Sequence, residues 1–324
     1  GFSFSGFDFK TPGYVIEGSK LSGLDLSGAT IPAHADGVTW AGANLSGLHA
    51  SGTSFAYANL AGANLAGADL SNTFTLNTDL TGATLTGATV TGASLRGAAG
   101  TTFAQLATTN RNWAGVETPV TSFAGADLRA SSGWNLAGAS FYGINVSSAN
   151  LTGTNLTGAT FLQANLTWAN LTNANLTNAD LRSADVRSSV LGGANLTGAK
   201  ITGAQLSNAW SLTKAQLLST NHDWTNTKLD AIGLDLTGTD FTSGGFSLTG
   251  VSFRKVKLNG ANLSGRNLTG VSLTQANLSS ATFAGASGGP TGGSTAVYSA
   301  TTCPDSVVTN GGAVTTCVGH GFGA

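Results

Sequence analysis

The chain has 324 residues, of which 41% are hydrophobic, 9% are charged and 46 are glycine, with a net charge of −1. Globular domains carry about 25% charged residues, and disordered chains combine low hydrophobicity with high net charge, so this composition excludes disorder and is unusual for an ordinary globule. The near-zero charge argues against nucleic acid as a partner, and no stretch approaches the roughly 18 apolar residues of a membrane-spanning helix.

A five-residue spacing of apolar residues begins near the N-terminus, where Leu21, Leu26 and Ile31 follow one another at that interval. Residues 32–39 break the spacing, and we expect a loop there. A second array runs from Trp40 to Leu95. The N-terminal part of the chain is therefore predicted to consist of short repeated segments.

Two longer interruptions, near 100–118 and 211–228, resemble each other in sequence. Each contains a Thr followed three residues later by a Gln, which is the signature of a helix capping box. The pairs are Thr102 with Gln105 and Thr213 with Gln216. Each interruption therefore predicts a short helix against the wall of the repeats. The tryptophans that follow, Trp113 and Trp224, are either binding aromatics or, as we favour, seals between helix and wall.

Between these insertions the spacing has no gap. An apolar residue returns at every fifth position: Leu136, Phe141, Val146, Leu151, Leu156, Phe161, Leu166, Leu171, Leu176, Leu181, Val186, Leu191, Leu196, Ile201 and Leu206. Ala stands two residues before most of them, and the unit is Ala, Asn or Asp, Leu, Ser or Thr, Gly. A period of five fits neither the 3.6 residues of a helix nor the two of a strand, so the chain must turn a corner in every unit.

The geometry of such a unit predicts a square coil. Ala and Leu point to one side of an extended segment, Asn and Ser or Thr point to the other, and Gly accepts the backbone angles of a corner. Four sides close a turn of about twenty residues, and successive turns pair at roughly 4.8 Å. At this spacing one inward column would hold Leu136, Leu156, Leu176 and Leu196.

These units resemble those of the pentapeptide-repeat family, and the resemblance covers most of residues 2 to 285. It implies an all-β fold, a right-handed parallel quadrilateral β-helix, here with two short helical insertions. The family is functionally heterogeneous, so the resemblance implies shape more firmly than role.

The last array runs from Leu236 to Phe283 and completes the predicted organisation. We expect a β-helix over 1–286, a flexible linker at 287–295 and a cysteine-bearing tail at 296–324. The tail is similar to short cysteine-bearing tails on exported pentapeptide-repeat proteins of environmental bacteria.

The two cysteines, Cys303 and Cys317, both lie in this tail, and we expect them to form a disulfide. A zinc site is the weaker alternative, because four ligands are expected and His320 is the only nearby histidine. A disulfide persists in an oxidising compartment. Since residue 1 is Gly and not Met, a removed signal peptide fits a secreted, extracellular bacterial protein.

No convergent set of acids, bases and nucleophiles is apparent, so we expect no catalytic residue, no metal, no cofactor and no enzymatic activity. The four histidines, His34, His49, His222 and His320, are scattered. His222 and Asp223 are adjacent in sequence, and we interpret them as a solvated loop pair.

The feature that stands out is a polar ladder on one outward face. We define the Asn/Thr ladder as Asn135, Asn155, Asn175 and Asn195 with Thr157, Thr177 and Thr197. Stacked Asn side chains can hydrogen-bond along the coil and stiffen it. The same uncharged grid would suit ice or a carbohydrate lattice, and Trp168 and Trp210, at outward positions nearby, could stack on sugar rings.

Three functions follow from these observations. We favour an exported, rigid, non-enzymatic scaffold or interaction protein that presents ordered polar faces, with self-association or a cell-surface polysaccharide as its contact. The alternative is an ice- or polysaccharide-binding protein that uses the Asn/Thr ladder. A third, a DNA-mimicking topoisomerase inhibitor, needs a strongly negative surface, which the basic residues Arg182, Arg187 and Lys200 offset.

Overall fold

The computed structural model describes residues 3–11, 14–118, 122–230 and 233–305, together with residues 307, 309, 317, 320 and 321. Most of the predicted tail beyond 305 lies outside the described residues. The chain forms two compact units: Gly1–Phe123, Leu128–Ile144 and Thr154–Thr160 in the first, Ala124–Asp127, Asn145–Gly153 and Phe161–Ala324 in the second.

Both units are β-helical coils in which parallel pairing is made by single residues in place of long strands. In the first unit Asn44 pairs with Asn64 and Asn64 with Thr84; in the second, Asn165 pairs with Asp185 and Asp185 with Gln205. Most pairs are twenty residues apart, so one turn of the coil holds four five-residue units. This is the predicted spacing.

The inward positions form the core of each unit. Leu136 and Leu156 in the first unit are fully buried and follow the paired residues Asn135 and Asn155. In the second unit Leu176 and Leu196 are buried in the same way. The residue two positions before each Leu is buried as well: it is Ala174 or Ala194 in the second unit, and Trp134 or Thr154 in the first.

The corner residue of each unit has a left-handed backbone. Gly158 has a φ of 67°, which is accessible to glycine without a steric penalty. Several units place other residues there, and Asn173, with a φ of 56°, is an example of the residue type that tolerates this region best among those with side chains.

The two predicted helices are confirmed. Helix α1 spans Phe103–Leu106 and helix α2 spans Lys214–Leu218, and each begins with a capping box made by its Thr and Gln. Around them the pairing distance lengthens, as between Ser94 and Glu117, so each insertion is absorbed within one enlarged turn. Two short 3-10 helices, Ala130–Ser132 and Gly293–Thr295, complete the helical elements of the described residues.

The tryptophans that follow the helices are core residues. Trp113 and Trp224 are buried, and each indole N–H donates to the hydroxyl of a Thr four residues earlier, at 2.9 Å in both cases. The structure therefore supports the sealing role over a binding role for both side chains.

Two predicted breaks in the coil are wrong. In 32–39, His34 pairs with Ser54 and Thr39 with Asn59, so the coil continues where a loop was expected. The side between Thr30 and His34 is one residue short, and the turn accommodates the loss by a pairing distance of 19 residues, as between Thr30 and His49.

The predicted linker at 287–295 is also part of the coil. Ser287 pairs with Asn267 and Thr291 with Ser272, and the pairing extends to Thr302. Gly288 and Gly292 have φ values of 82° and 72°, so the glycines that suggested flexibility have left-handed backbones within the paired segment.

Candidate functional site

The Asn/Thr ladder is built from amide side chains that bond along the coil. In the first unit Asn155 Nδ2 donates to Asn135 Oδ1 at 3.2 Å, and Asn135 Nδ2 donates to Asn112 Oδ1 at 2.9 Å. Asn112 was missed at the sequence level, because the extra residues around the 3-10 helix Ala130–Ser132 place it 23 residues before Asn135 and not 20. The predicted stacking of amides is therefore present within this unit and extends to one further turn.

A second amide ladder, also in the first unit, was not anticipated. Asn64 Nδ2 donates to Asn44 Oδ1 at 3.1 Å, and Asn44 Nδ2 donates to Asp25 Oδ1 at 3.0 Å. The interval of 20 residues between Asn44 and Asn64, one turn of the coil, could have predicted this ladder. Amide stacking is thus a general property of these coils and does not by itself mark a binding face.

The oxygen of each ladder Asn is also engaged within its own unit. Thr157 donates both its backbone N–H, at 3.2 Å, and its hydroxyl, at 2.8 Å, to Asn155 Oδ1. In the second unit Asn175 accepts the same two bonds from Thr177, and Asn195 accepts them from Thr197. Because Asn in this arrangement mimics a backbone turn, the ladder side chains hold the corners of the coil in place.

Aspartates at the same position are partly neutralised by their neighbours. Arg182 donates to Asp180 and Arg187 to Asp185, each with an Nη2 to Oδ2 distance of 2.6 Å. The hydrogen bond from the Arg187 side chain holds the pKa of Asp185 below its ordinary value, against the opposing effect of burial. These pairs leave no strong field on this part of the second unit.

Trp168 and Trp210 lie in the second unit and border one groove. Trp168 occupies a corner with a φ of 62°, and Trp210 pairs with Val190 on an outward side. The groove between them has a volume of about 390 Å³, and Ser188, Asn208 and Ser211 contribute to its walls. The structure thus brings the two predicted aromatics to the same depression.

His222 makes structural contacts and does not interact with Asp223 as a pair. His222 stacks on Phe246 with ring centroids 4.2 Å apart, and its two ring nitrogens each lie 2.7 Å from a backbone carbonyl oxygen, those of Gly244 and Leu218. Asp223 instead accepts a hydrogen bond from Thr202. The interpretation of His222 and Asp223 as a solvated pair is therefore wrong, since each is held by its own partners.

Cys303 and Cys317 form the predicted disulfide, and both are fully buried. Nearby, the hydrogen bond with His320 lowers the pKa of Asp305. Among the described residues no group of three or more His, Cys, Asp or Glu side chains could hold a metal ion, and no helix is long and apolar enough to cross a membrane.

Comparisons with known proteins agree with the repeat. The family model described as pentapeptide repeats matches eight copies, over residues 36–72, 63–98, 135–173, 174–209 and 247–285. A comparison with curated proteins gives no significant match.

Solved structures give matches of low overall similarity. HetL, a pentapeptide repeat protein involved in heterocyst differentiation regulation from the cyanobacterium Nostoc sp. strain PCC 7120, is 22% identical, with 91% of this chain and 93% of that chain covered and a TM-score of 0.26. QnrB1, a plasmid-mediated fluoroquinolone resistance protein, is 14% identical over 72% and 81% of the two chains, also with a TM-score of 0.26. Rfr23 from the cyanobacterium Cyanothece 51142 is 18% identical over 60% and 88%, with a TM-score of 0.19.

Proposed function

The chain belongs to the pentapeptide-repeat family, and we propose that it is a non-enzymatic, exported scaffold or interaction protein whose coils present ordered polar faces. The right-handed, quadrilateral form that the family resemblance implies is part of this proposal. Self-association and a cell-surface polysaccharide are the contacts that we consider for it.

The observation that carries the proposal is the fixed state of the outward side chains. Asn155, Asn175 and Asn195 each accept two hydrogen bonds from the Thr two residues later. A side chain that is already fixed loses little conformational entropy when a partner covers it. Such faces suit contact with a large, regular partner better than they suit catalysis, which requires groups that exchange protons or bonds.

Export is supported by the disulfide. Cys303 and Cys317 account for both cysteines of the chain, and their bond persists where thiols are oxidised. Thiol alkylation of the protein isolated from its source, with and without prior reduction, tests this point. We expect alkylation only after reduction, and free thiols in the untreated protein would contradict export.

The interaction role can be tested with a pair of matched surface variants. Thr197 and Thr269 are both exposed, and each donates its hydroxyl to the Asn two residues earlier, so replacement by Lys removes the same turn contact at each position. Only Thr197 belongs to the Asn/Thr ladder. We expect Thr197→Lys to weaken self-association or co-sedimentation with cell-envelope polysaccharide, and Thr269→Lys to leave it unchanged. Equal effects of both variants, or no association of the unaltered protein, would overturn the role.

Ice or polysaccharide binding by the Asn/Thr ladder is the second candidate. It is supported by the fixed orientation of the Thr hydroxyls, which donate to Asn Oδ1 at 2.6 to 2.8 Å. Thermal hysteresis, inhibition of ice recrystallisation and retention on polysaccharide are its readouts. The absence of all three would remove this candidate.

Topoisomerase inhibition by DNA mimicry is the third candidate and has the least support. The net charge is −1, and Arg182 and Arg187 neutralise the neighbouring Asp180 and Asp185. A DNA-supercoiling assay with gyrase decides it, and we expect no inhibition.

A further inference from the structure

Trp168 and Trp210 are placed at the spacing of two turns of the coil. Asn170, Val190 and Trp210 form one column of paired residues in the second unit, and Trp168 precedes Asn170 by two residues. Two turns correspond to about 10 Å along the coil at ordinary strand spacing. The indoles therefore border the groove at two different levels, separated by a distance comparable to a disaccharide in an extended glycan.

The exposure of these two side chains has no packing explanation. Trp168 and Trp210 are 65% and 61% exposed, whereas the other four tryptophans, Trp40, Trp113, Trp134 and Trp224, are at most 4% exposed. Trp168 also has a left-handed backbone, which is unfavourable for a bulky residue. Tyr57 is also an exposed aromatic residue at a left-handed corner, so what distinguishes this site is that two exposed indoles border one groove.

The groove carries polar groups that the coil does not use. Asn208 is a corner residue like Trp168, and Ser188 occupies the corner of the turn between them. Within the described part of the chain, the side chains of Ser188, Asn208 and Ser211 make no hydrogen bond, and neither indole nitrogen of Trp168 and Trp210 donates one. These donors and acceptors remain available to a ligand, in contrast to the amides of the Asn/Thr ladder.

Among the described residues, no ionisable side chain lines the groove. Buried Ala209, Leu212 and Leu234 contribute its apolar part, and the two indoles with the Ser and Asn side chains contribute the remainder. The complementary ligand has apolar ring faces for the indoles and hydroxyl groups for the amide and hydroxyls, and it carries no charge. A neutral sugar polymer combines these properties.

We propose that the groove between Trp168 and Trp210 is a binding site for a neutral, extended polysaccharide, with one sugar ring stacked on each indole and the side chains of Ser188 and Asn208 bonded to the sugar hydroxyls. The inference rests on the interaction role proposed above, to which it gives a ligand. The site lies outside the Asn/Thr ladder, so the two can be tested independently.

Tryptophan fluorescence gives a direct readout, because only Trp168 and Trp210 are accessible to a quencher. Acrylamide quenching is measured on the full chain with and without cellohexaose, chitohexaose or xylohexaose, alongside retention on insoluble cellulose, chitin and xylan. The variants are Trp168→Ala, Trp210→Ala and Trp168→Tyr, which keeps an aromatic face. Tyr57→Ala is the matched control, because Tyr57 is 65% exposed and sits at a left-handed corner of the first unit.

We expect at least one oligosaccharide to protect the exposed indoles from quenching and its polymer to retain the protein. Each Trp→Ala change should weaken retention about tenfold, whereas Trp168→Tyr and Tyr57→Ala should stay within about threefold of the unaltered protein. Failure to bind any of the three glycans, or retention that survives loss of both tryptophans, overturns the proposal. Self-association that disappears with the Trp→Ala changes also overturns it, because a second copy would then fill the groove.

A negative glycan result would leave the scaffold role intact. That role is tested by Thr197→Lys against Thr269→Lys, at positions that do not line the groove. The two proposals therefore fail by different measurements.

Discussion

The Oδ1 atom of Asn195 accepts two hydrogen bonds from Thr197, one from the backbone N–H at 3.0 Å and one from the hydroxyl at 2.7 Å. The same pair of bonds recurs at Asn165 with Thr167 and at Asn267 with Thr269. The outward Asn of the repeat is therefore a structural residue, which fastens the corner that follows it.

Removing this oxygen should loosen the corner. We expect Asn195→Ala to lower the free energy of unfolding by about 1 kcal/mol, because the N–H and hydroxyl of Thr197 lose their acceptor. Asn195→Asp keeps the acceptor and should cost clearly less at neutral pH. Hydrogen exchange at the Thr197 amide, together with thermal unfolding, measures both effects. Equal protection of that amide in the Ala and Asp variants would contradict the role of the Asn195 oxygen as the acceptor that holds this corner.

Acid should weaken the coils through aspartates at this same position. Hydrogen bonds from Thr81, Thr237 and Thr242 lower the pKa values of Asp79, Asp235 and Asp240. A carboxyl whose folded pKa lies below its unfolded value of about 3.9 stabilises the fold above that value, and the contribution is lost as the pH falls through the folded pKa.

The test replaces Asp79, Asp235 and Asp240 together by Asn, which retains the accepting oxygen but does not titrate. We expect the melting temperature of this triple variant to fall less than that of the unaltered protein between about pH 5 and pH 2. The reverse change, Asn165→Asp, should increase acid sensitivity. If the melting temperatures of all three proteins fell equally with pH, these carboxyls would not contribute to the acid sensitivity of the coils.

Much of the coil could be predicted from the sequence, because the inward Leu and the Ala two residues earlier report burial directly. Helices α1 and α2 were predictable for a local reason, since Thr102 and Gln105 satisfy each other's backbone groups within four residues. Features that depend on a partner one turn away were harder to predict from the sequence. The Asn112 contact with Asn135 was missed because the residues around the 3-10 helix Ala130–Ser132, between them, lengthen the pairing distance.

The two wrong breaks have the same cause. Pro and Gly occur both in loops and at the corners of this coil, so composition alone could not distinguish them at 32–39 and 287–295. A segment belongs to the coil, and not to a loop, when a residue one turn away pairs with it, as Ser54 does with His34. The sequence placed Trp168 and Trp210 outward, but their groove depends on Leu212 and Leu234, which lie beyond the uninterrupted array.

Gln216 should anchor helix α2 to the coil of the second unit. Its Oε1 accepts from the backbone N–H of Thr213 at 2.8 Å, and its Nε2 donates to the carbonyl oxygens of Leu191 and Ala194 at 2.7 and 2.9 Å. We expect Gln216→Ala to destabilise the protein by on the order of 2 kcal/mol, because the cap and both wall contacts are lost.

Gln216→Glu separates the two contributions. Glu can still accept from Thr213, but its carboxylate would face the carbonyl oxygens of Leu191 and Ala194. We expect it to be at least as destabilising as Ala at neutral pH and to recover partly in acid, when the carboxyl can donate. Chemical denaturation and hydrogen exchange across 213–218 provide the measurement. A Glu variant as stable as the unaltered protein would mean that the wall contacts contribute nothing.

Two glycines of the first unit with left-handed backbones should respond differently to the same added methyl group. Gly82 and Gly100 have φ values of 67° and 70°, so Ala at either position incurs about 1 to 2 kcal/mol of backbone strain. A Cβ atom at Gly82 would meet no atom of the described residues within 4 Å, whereas at Gly100 it would lie 2.6 Å from the Cα of Thr81. Backbone in a paired turn cannot move aside as a side chain can, so Gly100→Ala should cost a further 1 to 3 kcal/mol. Gly82→Asn should be milder than Gly82→Ala, because Asn tolerates the left-handed region. Thermal unfolding of the three variants measures the order of their stabilities. If Gly100→Ala were as stable as Gly82→Ala, the backbone of residue 100 would not lie as close to Thr81 as the structure shows.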